Sequence, residues 1–358
     1  MVVRLIQVGL GGWGTNWLEE AVPLVPGAEV VAVVDAVPAA LERVQEKLSL
    51  PPEQCHRTLT DALRSTDADA VLVTAPLVAH LPLAIEAMKA GRHVLVEKPF
   101  APTVAAAREA VEFAEQRGLV LAVSQNYRYY PAPRTVRTVL ASGELGRLGT
   151  VRVDFRKWAN QKPERPSKHH MLPHALLYDM SIHHFDLMRL VLRQEPVEVF
   201  AKVTDPPYSR FTDEAAATLV LTFSGGTTVS YRGSWASSGP PTPWSGEWHL
   251  ECERGEIAWS GPERLGAPAG APEGADVVRL RRLPETREEA SPYVDVPLED
   301  VPYRGRAGTL AAFVDAITHG GRPETSGRDN LPTLAVCEAA VRSAASGTPV
   351  TIQSVMDA

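Results

Sequence analysis

The sequence predicts an α/β fold in two parts: a doubly wound parallel sheet of Rossmann type over residues 1–125, and an α/β domain with an open, mostly antiparallel sheet over residues 126–358. Three observations predict it. Through residue 125, near-continuous apolar runs alternate with helix-period patterns, which is how a parallel sheet covered on both faces reads. A glycine-rich turn, Gly9-Leu10-Gly11-Gly12-Trp13-Gly14, follows the first of those runs directly. After Asn126 the strand patterns succeed one another across short turns without intervening helices, which reads as antiparallel pairing.

In chain order, the strand-like runs of the first part cover residues 2–8, 30–34, 70–73, 93–96 and 119–123, and the pattern admits a short extra strand around His56. Helical periodicity covers 39–48, 81–90 and 104–117. A helix over 134–140 then leads into a strand over 150–158. Residues 159–173 are polar, with prolines and histidines, and read as a loop. A helix over 176–192 precedes strands at 197–203, 216–223, 227–234, 248–253, 256–259 and 277–283, with turns such as Ser224-Gly225-Gly226 between them. The Pro/Gly/Ala-rich stretch 261–274 reads as a surface loop. Helices over 310–318 and 331–346 follow.

The bulk numbers exclude several classes of function. A chain of 358 residues holds two domains with proper cores. A net charge of −7 argues against nucleic acid or an anionic membrane as partner. Cys55, Cys252 and Cys337 are too few and too scattered for a disulfide framework or a zinc site, and no metal is expected. No apolar run reaches membrane-spanning length. The first strand pattern starts at Val2, which leaves no signal peptide, so a cytoplasmic protein is expected.

Two segments of the first part point to a dinucleotide. In the glycine turn, Gly9 permits the tight bend, Gly11 the close approach of a pyrophosphate, and Gly14 close packing of helix on strand, with Gly12 and Trp13 completing the turn. The helix that opens there directs N–H groups toward phosphate. Asp35 ends the second strand, 21 residues after Gly14. A carboxylate at that point accepts hydrogen bonds from ribose hydroxyls and repels a 2′-phosphate. Arg43 is the nearest downstream base, so NAD is preferred over NADP.

Other residues carry candidate chemistry. Lys98 closes the apolar run 93–96 within Glu97-Lys98-Pro99, at the carboxyl end of a strand, where such sheets hold their ligands. A lysine there lends a positive charge or a tunable proton. His80 follows Thr74-Ala75-Pro76 and is placed near the cofactor. On the helix over 176–192, Asp179, His183 and Asp186 fall on one face. An acid–base pair aimed into a cleft explains that stripe; a helix acid beside a satisfied surface histidine explains it equally. His184 lies about 100° round the helix and reads as packed. The tryptophans 235, 244, 248 and 259 fit sugar stacking or sheet packing.

Taken together, these motifs resemble the glucose–fructose oxidoreductase/inositol dehydrogenase (Gfo/Idh/MocA) family. The resemblance runs from Gly9–Gly14 through Gly91-Arg92-His93-Val94-Leu95-Val96-Glu97-Lys98-Pro99 and Asn126-Tyr127-Arg128-Tyr129. It continues through Asp179-x-Ser181-x-His183-x-x-Asp186 to Glu324-Thr325-Ser326-Gly327. It implies hydride transfer between nicotinamide and a carbinol or keto carbon of a sugar, inositol or related polyol, with Lys98, Asp179 and His183 as catalytic residues. It further implies cofactor contacts from Gly9, Gly11, Gly12, Trp13, Gly14, Asp35, Thr74, His80, Glu97 and Lys98. Substrate contacts are implied for Lys98, Tyr127, Arg128, His174, Asp179 and His183. A cis peptide before Pro99 and a homodimer or homotetramer built through the second sheet also follow from the resemblance. Pro173-His174-Ala175 and Ser181 replace glycines usual in the family, which points to an altered substrate pocket. NAD-dependent glycoside cleavage through transient oxidation and a non-catalytic nucleotide- or sugar-sensing role are the alternatives. The intact Lys98, Asp179 and His183 argue against the sensor.

Overall fold

A computed structural model describes residues 1–160, 168–261, 276–283 and 291–358. The apolar runs of the first part form a six-stranded sheet, parallel throughout: β1 (Val3–Val8), β2 (Ala28–Val34), β3 (Cys55–His56), β4 (Ala70–Val73), β5 (His93–Glu97) and β6 (Leu121–Ser124). Their order is β3-β2-β1-β4-β5-β6. The order reverses between β1 and β4, and in doubly wound sheets ligands bind outside the carboxyl ends of the strands at such a switch point. Glycine turn, Asp35 and Lys98 all lie at carboxyl ends of strands in this sheet.

The connecting helices are α1 (Gly12–Asn16), α2 (Pro38–Leu48), α3 (Leu59–Ser65), α4 (Leu77–Lys89) and α5 (Val104–Gln116). Thr58 and Thr103 cap α3 and α5 by accepting the N–H of Asp61 and Ala106. The periodicity places this helix over 81–90, whereas α4 begins four residues earlier, at Leu77. The helix runs through Pro82. The carbonyl that the missing N–H would have met belongs to Val78, which is exposed to water.

Beyond a 3₁₀ turn at Asn126–Tyr129, α6 (Pro131–Ser142) and β7 (Leu148–Arg156) lead to a π turn, Leu176–Ser181, which continues into α7 (Ile182–Leu192). The strands that follow are β8 (Pro196–Thr204), β9 (Ala216–Phe223), β10 (Thr228–Ser234), β11 (Glu247–Cys252), β12 (Gly255–Ser260), β13 (Val277–Arg282), β14 (Val294–Asp295) and β15 (Val350–Thr351). They make a nine-stranded sheet in the order β14-β13-β12-β11-β7-β10-β9-β8-β15, antiparallel except where β10 pairs with β7. Burial alternates along β7, β9 and β10, so one face is packed and the other polar. Every residue of α7 is buried, and Trp248 stacks on Trp259 at 4.9 Å. The stretch 262–274 of one expected loop, and 161–167 of the other, lie outside the described residues.

Three helices complete the chain: α8 (Gly305–His319), α9 (Gly327–Ser346) and α10 (Ile352–Met356). The chain divides into two compact units, 1–129 with 302–331, and 130–301 with 332–358. The sequence reading placed the break at 125 and gave everything after it to the second domain. In the structure α8 joins the first unit, because Ala307, Leu310, Phe313 and Val314 share one core with Val3, Leu5, Trp17, Leu72 and Leu95. No helix among the described residues is long and apolar enough to cross a membrane.

Candidate active site

In the first unit the glycine turn is built by exclusion. Gly9 has φ +97°, and a Cβ there would stand 2.5 Å from the backbone of Ala75. A Cβ on Gly14 would stand 1.9 Å from the Gly9 carbonyl oxygen. Apart from chain neighbours and the helix's own backbone, no atom of the described residues lies within 4 Å of the Cβ positions of Gly11 and Gly12, so the space beyond the turn is open and fits a phosphate group. Thr74 Oγ1 donates to the Gly9 carbonyl at 2.7 Å, and Gln7 Nε2 donates to that of Gly14 at 2.7 Å. Both side chains are buried and hold the turn from beneath.

At the end of β2, Asp35 accepts the Leu10 N–H at 2.7 Å on one oxygen and the Val37 N–H at 2.8 Å on the other. This fixes the carboxylate beside the turn and leaves lone pairs for ribose hydroxyls. Two exposed arginines reach the same corner: Arg43 donates to Leu10 O at 2.7 Å, and Arg57 to Ala36 O at 2.6 Å. Sequence reading found the first and missed the second, which directly follows β3.

Lys98 follows directly on β5, and the Lys98–Pro99 peptide is cis. Its neighbour Glu97 is buried, and its Oε1 accepts two indole N–H groups, from Trp13 at 2.7 Å and Trp17 at 2.8 Å. Trp13 is 50% exposed, with the Arg306 guanidinium 4.5 Å from its ring centre. Trp13 therefore ties the glycine turn to the strand end that carries Lys98. His80 is buried, with Nδ1 2.8 Å from Pro99 O and Nε2 2.8 Å from Ala75 O. Thr74 and His80, both expected near the cofactor, have side chains that also brace the main chain around the glycine turn and Pro99. Arg128, also buried, pairs with Asp329 at 2.8 Å and donates to Glu324 O at 3.1 Å. It is bound into the closing segment of its own unit, while Tyr127 is half-buried beside it.

In the second unit the helix that carries Asp179 and His183 departs from regular α geometry. Asp179 lies in the π turn and His183 in α7, where it is buried. Local π turns are frequent at functional sites, and the wider turn re-aims the side chains within it. Asp186, one turn on from His183 in α7, is buried in a network: Thr333 Oγ1 donates to it at 3.2 Å and accepts from Arg189 at 3.0 Å. His184 is fully buried. Its Nδ1 lies 3.0 Å from the Tyr231 hydroxyl and its Nε2 2.9 Å from Trp244 O. Burial pushes its pKa down to about 4, against the raising effect of the Trp244 carbonyl. The neutral ring then donates Nε2–H to Trp244 and accepts from Tyr231, whose oxygen meets Ser181 Oγ at 2.8 Å. Burial likewise drives the Tyr231 phenol well above its ordinary range. Ser181, at one of the positions that depart from the family pattern, is thus part of this chain.

His174 has φ +48°, and its Nδ1 lies 2.7 Å from Glu214 Oε1. Asp179 Oδ2 lies 3.0 Å from Nδ1 of His169, a residue that sequence reading did not single out.

Residues 3–125 match the model of an oxidoreductase family with an NAD-binding Rossmann fold, and residues 134–258 match the Gfo/Idh/MocA C-terminal domain. The chain is 26% identical to inositol 2-dehydrogenase of Rhizobium meliloti, over 98% of this chain and 100% of that one. It is 28% identical to D-apiose dehydrogenase of Paraburkholderia graminis, over 97% and 89%. Among solved structures, the aldose-aldose oxidoreductase of Caulobacter crescentus, complexed with glycerol, superposes with a TM-score of 0.82 at 20% identity, covering 98% of this chain and 100% of that one.

Proposed function

Because this chain belongs to the Gfo/Idh/MocA family of oxidoreductases, with an NAD-binding Rossmann domain, we propose that it is an NAD-dependent dehydrogenase acting on a CH–OH carbon of a sugar, inositol or related polyol. The observation that carries this reading is the corner of the first sheet where open space over Gly11 and Gly12 meets the fixed carboxylate of Asp35. That corner suits a pyrophosphate and an unphosphorylated ribose, and so favours NAD. The polyol class is supported by relatives named for inositol and D-apiose.

When bound, nicotinamide supplies the hydride acceptor. The chain's own residues then handle the proton and the charge. His183 takes the proton of the reacting hydroxyl. Lys98 stabilises the negative charge that develops on the oxygen, and Asp179 binds a neighbouring hydroxyl and orients the imidazole. General-base help of this kind is worth roughly 10²–10⁴ in rate. Assembly into a homodimer or homotetramer through the outer face of the nine-stranded sheet belongs to the same proposal. The exposed Val197 and Val220 on that sheet support it, and sedimentation checks it.

The test is turnover of NAD and NADP with a panel of inositols, aldoses and aryl glycosides, following absorbance at 340 nm together with sugar release. Reduction of free NAD by a polyol is expected, with Lys98→Met and His183→Ala each lowering kcat by about 10²-fold or more. Sugar release without net reduction, or full activity in both variants, would sink the assignment.

A further inference from the structure

The second unit contains an acid–base group that the reaction above leaves out. His169 lies on the 3₁₀ turn Lys168–Met171, and its Nδ1 stands 3.0 Å from Oδ2 of Asp179. Two buried aromatic rings wall it in. It meets Trp235 edge-on at 4.9 Å and Phe211 edge-on at 5.4 Å.

The turn itself is pinned. The neighbouring His170 is buried, with Nε2 2.9 Å from Ala159 O, while its own carbonyl accepts the N–H of Thr212 at 2.9 Å and the Thr212 hydroxyl at 3.1 Å. His169 therefore cannot swing away from Asp179 without disturbing several packed groups. Yet the pair is not sealed off: 28% of the His169 side chain and 34% of Asp179 remain accessible. The accessible carboxylate is the one that the proposed reaction uses to bind a substrate hydroxyl, so the pair stands where a substrate can reach it.

The chemistry of the contact follows from its atoms. An imidazole that donates Nδ1–H to one carboxylate oxygen fixes the rotation of that carboxylate and leaves its second oxygen for another partner. An aspartate that must both bind a hydroxyl and orient a histidine needs that constraint, since a reacting group is useful only when held close to its productive geometry. We propose that His169 is a positioning residue for hydride transfer, acting through Asp179. This rests on the roles given above to Asp179 and His183.

Two variants of the full-length protein test it. Asparagine can place an amide N–H near the position of Nδ1, whereas alanine cannot. With NAD and the best polyol at saturation, His169→Ala is expected to lower kcat roughly 10- to 100-fold with KM for NAD unchanged, and His169→Asn to stay within about threefold of the parent. Equal losses in both variants would make the imidazole a proton carrier rather than a positioner and would overturn the proposal. So would an unaffected alanine variant. A readout that needs no turnover accompanies this: in ¹⁵N-histidine-labelled protein at neutral pH, His169 should show a protonated Nδ1, and Asp179→Ala should shift that signal. An Nδ1 signal indifferent to Asp179→Ala also overturns the proposal, even where an alanine variant loses activity through misfolding. If the protein turns over no polyol with either coenzyme, the underlying reading fails, and the proposal falls with it whatever the NMR shows.

Discussion

At the end of β2, one side chain sets the charge that the adenosine ribose of the coenzyme would meet in the proposed binding mode. Asp35 is held by two main-chain N–H groups, and Arg43 and Arg57 are anchored on the carbonyls of Leu10 and Ala36 around it. A 2′-phosphate would face the carboxylate directly, and a like-charge contact of that kind costs several kcal/mol. With the carboxylate removed, the same corner presents only two guanidinium groups. Asp35→Ser is therefore expected to move the ratio of kcat/KM for NADP over NAD upward by roughly tenfold or more. Initial rates with both coenzymes read this, and an unmoved ratio would mean that Asp35 does not discriminate. At this scale the site was legible where its logic is local. Gly9 to Gly14, Asp35 and Lys98 stand in short strings whose spacing carries the chemistry. Arg57, His169 and the clamp of Trp13 and Trp17 on Glu97 were not legible, because each depends on residues brought together only by folding. Trp13 and Glu97 are 84 residues apart.

Elements were legible by period, and the misreadings are failures of period. A helix over 176–192 was read as regular, so Asp179, His183 and Asp186 fell on one face. The π turn changes the register of Asp179 against His183 and Asp186, which both lie in regular α7, and Asp186 also accepts a hydrogen bond from Thr333. No apolar spacing distinguishes an i→i+5 turn from an i→i+4 one in a segment buried all round. The same burial gives α7 a pH liability through His184. Above pH 6.5 the ring is neutral in the folded and unfolded chain alike, and nothing is lost. Below it the unfolded chain takes up a proton that the folded ring, at about 4, does not. Stability therefore falls between pH 6.5 and about 4 by close to 1.4 kcal/mol per unit from this residue, then levels. His184→Gln removes the titration, at a cost of about 1–3 kcal/mol at neutral pH for the stranded Tyr231 hydroxyl. Urea midpoints from pH 7 to 4 should then fall less steeply in the variant than in the parent. Parallel curves would show that His184 is not the group responsible.

For the molecule as a whole, the informative fact is that the chain comes back. A boundary drawn where the alternation of strands and helices stops gives residues 1–125, and local texture offers no reason to draw it elsewhere. The first unit nevertheless needs residues 302–331, since Leu310, Phe313 and Val314 fill a core with Val3, Leu5 and Trp17, close to three hundred positions earlier. Helices can cover both faces of a parallel sheet only if enough of them are supplied, and here one is supplied late. A protein cut at residue 125 would expose this apolar surface to water, so such a fragment should be aggregated or only loosely folded. The point substitution is more discriminating. Phe313 is fully buried, and Phe313→Ala should destabilise the first unit by about 3–5 kcal/mol through lost burial and the cavity left behind. If the two units unfold in separate steps, calorimetry should show the step of the first unit moving down while that of the second holds its place. Saturating NAD should raise the shifted step, because a ligand that binds only the folded form at about 100 times its Kd adds about 2.7 kcal/mol. A Phe313→Ala protein whose NAD-sensitive step stays where it was would mean that α8 is not part of the folding unit that holds the coenzyme.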